Sequence, residues 1–193
     1  DLPDIGDERL ETERAEHRVE RSPDGTATID LDELWARVSS VVHALLTSSA
    51  GPRSERPEGA DRPERAEGGG HVRRGDSEPL DAVGVSSLFG WVFLDENGAP
   101  IGPGITWMDA RAASESKEFE ERVGRSRLIA KAGRSSGPEW LAPLLLWFGH
   151  HEPGLLSGAG GVVEIKDQLL RRLGAPVGAD YTAGDYSLLF DIQ

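Results

Sequence analysis

The sequence contains no cysteine and only one methionine. Without cysteine there can be no disulfide bond, no zinc site built from thiolates and no cysteine nucleophile. No apolar run approaches the roughly 20 residues that a membrane-spanning helix requires, and the chain does not open with a signal-peptide pattern. We therefore expect a cytoplasmic protein with no membrane partner.

Basic residues are in the minority. The chain has 34 Asp and Glu residues against 21 Lys and Arg, a formal net charge of −13. This balance argues against a nucleic-acid partner, because a surface that faces phosphates needs positive charge. The 193 residues have room for one sizeable domain, or for one domain with an unstructured insertion. Because Met108 is the single methionine, we expect that Asp1 is not a translation start.

Residues 51–79 differ in composition from the rest of the chain. Glycine, proline and charged residues dominate this stretch, and its apolar residues are Ala60, Ala66 and Val72. Such a segment cannot bury enough apolar surface to offset the entropy lost when a chain is ordered. The composition predicts a disordered insertion at 51–79. A folded domain tolerates such an insertion because the cost of closing a loop grows only logarithmically with its length.

Outside the insertion, helical and strand patterns alternate, which predicts the α/β class. Asp30 is a good N-cap for an amphipathic helix over 30–46. The pair Asn97-Gly98 is a hairpin signal, because a tight turn needs positive φ angles. Three apolar runs are predicted to be neighbouring strands of one mixed sheet, with that helix packed on it: 81–86, 91–94 and 101–106.

The remaining elements are shorter. Residues 1–22 fit either a solvated helix or an edge strand with its flanking loop, and periodicity does not decide between them. Further helices are predicted over 112–123, from Pro143 to Pro153, and over 166–173, and a short apolar run precedes the last of them at 162–165.

Trp107, Asp109 and Arg111 form a W-x-D-x-R pattern directly after the third strand. An indole face can stack on the C–H face of a sugar, while a carboxylate and a guanidinium can hydrogen-bond neighbouring hydroxyls. Residue chemistry alone favours a simpler interpretation, in which Trp107 is a core residue and Asp109 and Arg111 form a local ion pair.

Five tracts in the right order resemble the FGGY carbohydrate kinases, the family of xylulokinase, gluconate kinase and glycerol kinase. Residues 81–111 are similar to the family's strand-loop, LDEDG-like turn and W-x-D-x-R sugar loop, and AGRSSGP at 132–138 is similar to T-G-x-x-x-x-P. The other tracts are IDLDELW at 29–35, KDQLLRRLG at 166–174 and ADYTAGDYSLLFD at 179–191. The likeness covers most of residues 15–192 except the insertion.

The resemblance implies a ribonuclease-H-like domain of the actin and hexokinase type, with residues 1–193 as an incomplete N-terminal, sugar-binding part. It implies ATP-dependent phosphorylation of a hydroxyl on a pentulose, a polyol or an aldonate, with Mg²⁺ as the metal ion. The family's catalytic aspartate and phosphate-binding hairpin are expected outside this chain. We therefore assign no catalytic residue, expect the chain alone to bind no ATP and to be inactive, and allow a homodimer of the intact enzyme.

The resemblance also implies the substrate-binding residues. Trp107 and Asp109 are expected on a concave surface, with Arg111 as a further sugar ligand or as a brace for the loop. Phe89 stands where xylulose-type members have a histidine and is expected to form an apolar wall. Glu139 stands where glycerol-type members place an aromatic hydroxyl, and it could accept hydrogen bonds from the sugar.

Two further patterns do not indicate a metal site or a phosphate-binding site. Adjacent histidines on a helix point about 100° apart, so His150 and His151 are expected to be a solvated helix end and not metal ligands. The glycines at 158–161 are not followed by the lysine of a phosphate-binding loop. Two alternatives to a kinase stay open: a non-catalytic sugar-binding or regulatory module derived from one, and a degraded pseudogene product.

Overall fold

The computed structural model describes residues 12–48, 82–87 and 89–192. The chain divides into two compact units. The first consists of Asp1–Glu16 and Arg37–Gly84, and the described part of it includes the later turns of the first helix. The predicted insertion at 51–79 lies outside the described residues. The second unit, His17–Ala36 and Val85–Gln193, holds the sheet and every residue of the candidate site.

One sheet organises the second unit, with strands in the order β1-β2-β4-β3-β5. All pairings are antiparallel, so the expected mixed sheet is wrong for the described strands. The strands are short, and two of the pairs, β1 with β2 and β3 with β4, join strands that are consecutive in the chain. Their bounds are β1 Glu20–Arg21, β2 Ala27–Ile29, β3 Gly90–Leu94, β4 Gly104–Thr106 and β5 Gly161–Glu164.

The three strands expected from the apolar runs are found only in part. The runs at 91–94 and 101–106 contain β3 and β4, which pair with each other through Trp91 and Ile105. The run at 81–86 is not a strand: residues 82–87 are irregular, and Asp81 lies outside the described residues. Val83 is 51% exposed. An apolar run becomes a strand only where a neighbouring strand satisfies its backbone groups, and residues 82–87 have none in the described part of the chain.

The hairpin turn at Asp95–Gly98 is confirmed, although its geometry differs from the expectation. The N–H of Gly98 donates to the carbonyl of Asp95, and the N–H of Asp95 donates to the carbonyl of Ala99. Only Gly98 has a positive φ in this turn, at 79°. The loop is therefore the three-residue kind that ends in a left-handed glycine, and not the two-residue Asn-Gly turn. The carboxylate of Asp95 supports it by accepting from the N–H groups of Asn97 and Ala99.

Seven helices are present in the described residues: α1 Leu31–Ser48, α2 Ala113–Val123, α3 Arg125–Ala132, α4 Leu141–His151, α5 Pro153–Gly158, α6 Ile165–Arg172 and α7 Tyr181–Tyr186. The N-cap prediction is confirmed, since Asp30 Oδ1 accepts from the N–H groups of Asp32 and Glu33 at 2.8 Å each. Helix α4 begins two residues before Pro143. The proline therefore lies in the first turn of the helix, where its missing N–H costs nothing.

The core lies on both faces of the sheet, because successive side chains of β3 point to opposite sides. Trp91 and Phe93 pack in one cluster with Leu144 and Phe148 of α4. Val92 and Leu94 pack in the other, which includes Leu31 at the start of α1 and Ile165 at the start of α6. Helices therefore cover both faces, as the α/β class requires.

Gly90 is the tightest position at the start of β3. A Cβ added there would lie 2.5 Å from the carbonyl oxygen of Ile105 and 2.6 Å from Cδ1 of Ile165. The carbonyl belongs to the paired strand and cannot retreat without disturbing the sheet. We expect Gly90→Ala to lower the free energy of unfolding in urea by about 1–3 kcal/mol. Gly102→Ala is the control, since an added Cβ meets nothing within 4 Å there; equal stability of the two variants would contradict the prediction.

Candidate functional site

The loop after β4 is organised around the carboxylate of Asp109, which is 1% exposed. Its Oδ1 accepts from the backbone N–H of Arg111 at 3.1 Å and from Nε of Arg111 at 2.9 Å. Its Oδ2 accepts from Nη2 of Arg111 and from the backbone N–H of Ala27, both at 2.8 Å. A guanidinium that meets both oxygens of a carboxylate is the strongest arrangement of this ion pair. Asp109 thus ties its own loop to β2.

Trp107 lies at the tip of this loop and is 46% exposed. On one side of it the hydroxyl of Thr106 donates to the carbonyl of Ala27 at 2.9 Å. On the other side the N–H of Asp109 donates to the carbonyl of Thr106 at 3.0 Å. The indole is therefore held out toward solvent by a backbone that is fixed on both sides, and the expectation of a core tryptophan from residue chemistry alone is wrong.

The side chain of Arg111 packs on α4. Its guanidinium carbon lies 5.0 Å from the ring centre of Trp147 and 5.8 Å from that of Phe148. Beside it is a cleft of about 340 Å³ with an apolar floor that includes Phe93 and Ile105. Threonine hydroxyls and two exposed carboxylates, those of Asp24 and Glu152, also line this cleft. A hydrogen bond from the backbone of Thr26 lowers the pKa of Asp24, so the Asp24 carboxylate at the edge of the cleft stays negatively charged.

Phe89 belongs to a group of three half-buried rings, which we call the aromatic cluster: Phe89, Trp140 and Tyr186. The ring centres are 5.1 Å apart for Phe89 and Trp140, 4.7 Å for Phe89 and Tyr186, and 5.4 Å for Trp140 and Tyr186. Arg134 lies against two of these rings, 4.7 Å from Trp140 and 4.6 Å from Tyr186, and forms an ion pair with Asp185. Phe89 is thus part of a larger aromatic surface, and that it forms an apolar wall for a substrate stays a prediction.

Glu139 adjoins the aromatic cluster. Its backbone carbonyl accepts a hydrogen bond from Nε1 of Trp91 at 2.9 Å, which anchors the loop to β3. Its carboxylate oxygens would lie 2.6 and 2.8 Å from a Cβ at Gly137, and the indole nitrogen of Trp140 would lie at 2.8 Å. The carboxylate and the indole therefore share one side of the loop. Within the described residues the carboxylate of Glu139 forms no ion pair.

The five predicted site residues fall into two groups. Asp109 and Arg111 contact each other and turn inward, as a brace for the loop that presents Trp107. Phe89 stacks on Trp140, and the carboxylate of Glu139 and the indole nitrogen of Trp140 both lie beside Gly137. That all five contact one substrate stays a prediction. Sequence reasoning missed Arg134, Trp140, Asp185 and Tyr186 as part of the surface around Phe89. The one signal was that Arg134, Asp185 and Tyr186 lie inside the quoted tracts and Trp140 lies two residues after one of them.

Lys166 joins helix α6 to helix α7. Its Nζ lies 2.8 Å from Oδ1 of Asp167, 3.1 Å from Oε2 of Glu164 and 3.3 Å from Oδ2 of Asp180. Asp180 caps α7 by accepting from the N–H of Ala183 at 2.9 Å. Since α7 carries Tyr186, this ionic cluster helps to fix the position of the aromatic cluster.

His150 and His151 were expected to point in separate directions, but they do not. Both approach Oε1 of Glu115, Nδ1 of His150 at 3.6 Å and Nε2 of His151 at 3.4 Å. Burial acts to raise the pKa of Glu115, but hydrogen bonds from Ser114 and from the two histidines outweigh it and lower that pKa.

Over residues 12–48, 82–87 and 89–192, no group of three or more histidines and carboxylates is placed to hold a metal ion. Nor is any helix in those ranges long and apolar enough to cross a membrane.

Comparison with known proteins assigns the sequence to a family. The profile of the FGGY family of carbohydrate kinases, N-terminal domain, matches residues 6–193. The xylulose kinase of Escherichia coli K12 is 28% identical over 181 residues, which cover 90% of this chain and 36% of the relative. The chain thus spans about a third of that enzyme.

Solved structures show the same fold. The gluconate kinase of Lactobacillus acidophilus superposes with a TM-score of 0.71 at 18% identity, covering 91% of this chain and 30% of the kinase. The Plasmodium falciparum glycerol kinase with ADP superposes with a TM-score of 0.72 at 17% identity, covering 92% of this chain and 32% of the kinase. The expected actin- and hexokinase-like fold, represented by part of its N-terminal domain, is confirmed.

Proposed function

Because the chain belongs to the FGGY family of carbohydrate kinases, we propose that it forms the sugar-binding part of an ATP-dependent carbohydrate kinase. The chain spans 36% of the E. coli xylulose kinase. The activity, the small-molecule sugar or polyol that it acts on, and the cytoplasmic location are therefore parts of this proposal. Residues 1–193, including the 51–79 segment, are proposed to be one domain.

The exposure of Trp107 is the observation that carries the proposal. Trp107 is a large indole that is 46% exposed. Here it stands two residues from a carboxylate with four hydrogen bonds inside the protein. A rigid, exposed aromatic face is suited to stack on the C–H face of a sugar, because little entropy is lost on binding.

We assign the five predicted residues to this site in two roles. Trp107, Phe89 and Glu139 are proposed to contact the substrate, the two rings through its C–H groups and the carboxylate by accepting hydrogen bonds from its hydroxyls. Asp109 and Arg111 are proposed to position Trp107. Their polar atoms already pair with each other and with β2, which supports bracing over direct contact.

ATP and Mg²⁺ complete the proposal as co-substrate and metal ion. Among the described residues, no group of three or more histidines and carboxylates is placed to hold a metal ion. No residue of this chain is therefore assigned to them, and the described residues are given only the tasks of binding and orienting the acceptor hydroxyl.

Replacement of Trp107 by alanine tests the site. We expect Trp107→Ala to weaken sugar or polyol binding about fivefold or more, since stacking of an aromatic face contributes on the order of 1 kcal/mol. Binding of xylulose, xylitol and glycerol to the chain would be followed by ligand-observed NMR and calorimetry. Tyr181→Ala is the control, since Tyr181 is 84% exposed and is not among the proposed contacts. Unchanged affinity in Trp107→Ala would refute the assignment.

A further inference from the structure

We propose that the cleft beside Arg111 is a separate binding site, whose ligand is a small organic molecule with an apolar body and a primary ammonium group. The cleft has a volume of about 340 Å³, which falls within the range of small-molecule sites in proteins, about 300–1,000 Å³. Of the five predicted sugar-site residues only Arg111 lines it. The proposal therefore does not rest on the proposed function.

The cleft lies on the face of the sheet on which helix α4 packs. Thr28 of β2 pairs with Ile105 of β4, and residues that face each other across an antiparallel pair point to the same side. Ile105 and Phe93 belong to the core cluster that includes residues of α4, and both line the cleft with Thr28. Trp147 of α4 and Leu155 of α5 line it as well. The cleft thus offers an apolar surface that the helices leave open.

Strand β2 and the residue before it present hydroxyl groups to this cleft. On the other side of the sheet Ile29 packs in the second core cluster, whereas Thr26 and Thr28 line the cleft. Thr28 is only 7% exposed, and its hydroxyl forms no hydrogen bond within residues 12–48, 82–87 and 89–192. A nearly buried hydroxyl without a protein partner is available to accept a hydrogen bond from a ligand.

The charges at the edge of the cleft favour a cation. Asp24 and Glu152 are exposed carboxylates that line it, and Glu152 forms no ion pair in the described part of the chain. Hydrogen bonds from Thr26 lower the pKa of Asp24, so that carboxylate is charged at neutral pH. Among the residues that line the cleft the one basic side chain is Arg111, whose guanidinium already meets both oxygens of Asp109. A cationic ligand therefore meets two carboxylates and no unpaired positive charge of the lining residues.

A primary ammonium group matches both the charges and the hydroxyl. Its three N–H groups can donate to a carboxylate at the edge and to a threonine hydroxyl inside the cleft. An apolar body attached to it would cover Phe93 and Ile105 and remove their remaining surface from water. A quaternary ammonium has the charge but no N–H donor, and an alcohol has a donor but no charge. The two features can therefore be tested one at a time.

Three probes of similar shape make this test: phenethylamine, the uncharged 2-phenylethanol, and trimethyl(2-phenylethyl)ammonium, which lacks N–H donors. We expect phenethylamine to bind the wild-type chain and to shift the amide NMR signals of the lining residues Thr28, Gly102 and Leu155. It should bind about fivefold or more tightly than 2-phenylethanol, because each exposed ion pair contributes up to about a factor of five and the cleft has two carboxylates. Titrations followed by these amide shifts would give the affinities.

Variants of the lining residues test the chemistry of the cleft. The double variant Asp24→Asn, Glu152→Gln keeps the shapes of both side chains and should abolish the preference for phenethylamine over 2-phenylethanol. Thr28→Val should weaken phenethylamine about threefold through the lost hydrogen bond, and it should leave the quaternary ammonium unaffected. The double variant Glu118→Gln, Glu121→Gln is the control, since it changes the net charge equally and neither residue lines the cleft.

The possible outcomes decide for or against the proposal. It is overturned if phenethylamine does not bind at millimolar concentration, or binds no more tightly than 2-phenylethanol. It is equally overturned if the shifted amides lie away from the cleft, or if the control variant loses the preference as fully as the cleft variant, because the attraction would then be to the acidic surface in general. None of these results bears on the sugar site, which the Trp107→Ala variant tests by itself.

Discussion

Replacement of Asp109 by alanine is expected to lower the free energy of unfolding by about 3–5 kcal/mol, the range for removal of one member of a buried ion pair. The variant would leave the guanidinium of Arg111, with its side chain 11% exposed, without a counter-charge. It would also leave the N–H of Ala27 in β2 without the acceptor that it now has at 2.8 Å. Both losses act on the same loop, so Trp107 should lose its fixed position as well.

Urea denaturation followed by tryptophan fluorescence would measure the loss of stability. Glu118→Ala is the matched control, because Glu118 pairs with Arg122 one helical turn away on the surface, where Arg122 is 66% exposed. Such pairs contribute at most about 1 kcal/mol. If Asp109→Ala were no less stable than Glu118→Ala, Asp109 would not brace the loop, and a direct role in sugar binding would become the better assignment.

The features that the sequence predicted well are local ones. The N-cap at Asp30 depends on a carboxylate and N–H groups two and three residues further along the chain, so the pattern contains all the partners. The same holds for the turn at Gly98 and for the Asp109–Arg111 pair. In each case the interacting groups lie within five residues of each other, so the residue types locate the contact, although the turn at Gly98 has a three-residue loop and not the predicted two-residue one.

The features that sequence reasoning missed depend on distant partners. Strand β2 has three residues and directly precedes the Asp30 cap, so nothing in its own sequence separates it from the helix; its pairing with β4 defines it. The run at 82–87 shows the converse, since its apolar pattern suits a strand but no neighbour pairs with it in the described residues.

The candidate site combines both cases. Trp107 and its brace follow from a pattern of five residues, W-x-D-x-R. The aromatic cluster brings together Phe89, Trp140 and Tyr186, which come from three separate segments of the chain. Each of these residues is unremarkable in its own segment. Their role as one surface requires the packing of the loop before β3, the loop before α4 and helix α7.

Replacement of Lys166 by methionine is expected to lower the free energy of unfolding by about 3–5 kcal/mol near neutral pH, about as much as the replacement of Asp109 by alanine. Methionine keeps most of the side-chain volume but removes the charge that lies within 3.3 Å of three carboxylates. Glu164 and Asp167 are only 3% and 6% exposed, so they would be left as neighbouring buried charges. Arg122→Met is the control, since it removes an exposed basic side chain.

The pH dependence of this loss identifies its cause. Burial raises the pKa of Glu164, and Lys166 opposes that rise, so the pKa of Glu164 should rise further in Lys166→Met. A carboxyl whose pKa is higher in the folded state favours folding in its protonated form. The stability that it contributes is therefore present below its ordinary pKa and is lost as the pH rises through the folded-state value.

In the wild type, burial acts to lower the pKa of Lys166, but the carboxylates of Asp167 and Glu164 outweigh it and raise that pKa. The lysine therefore stays charged over the pH range of the experiment. The difference in unfolding free energy between wild type and Lys166→Met should consequently be larger at about pH 8 than at about pH 5. A difference that is constant, or that grows as the pH falls, would show that the variant is destabilised by packing and not by the unpaired carboxylates.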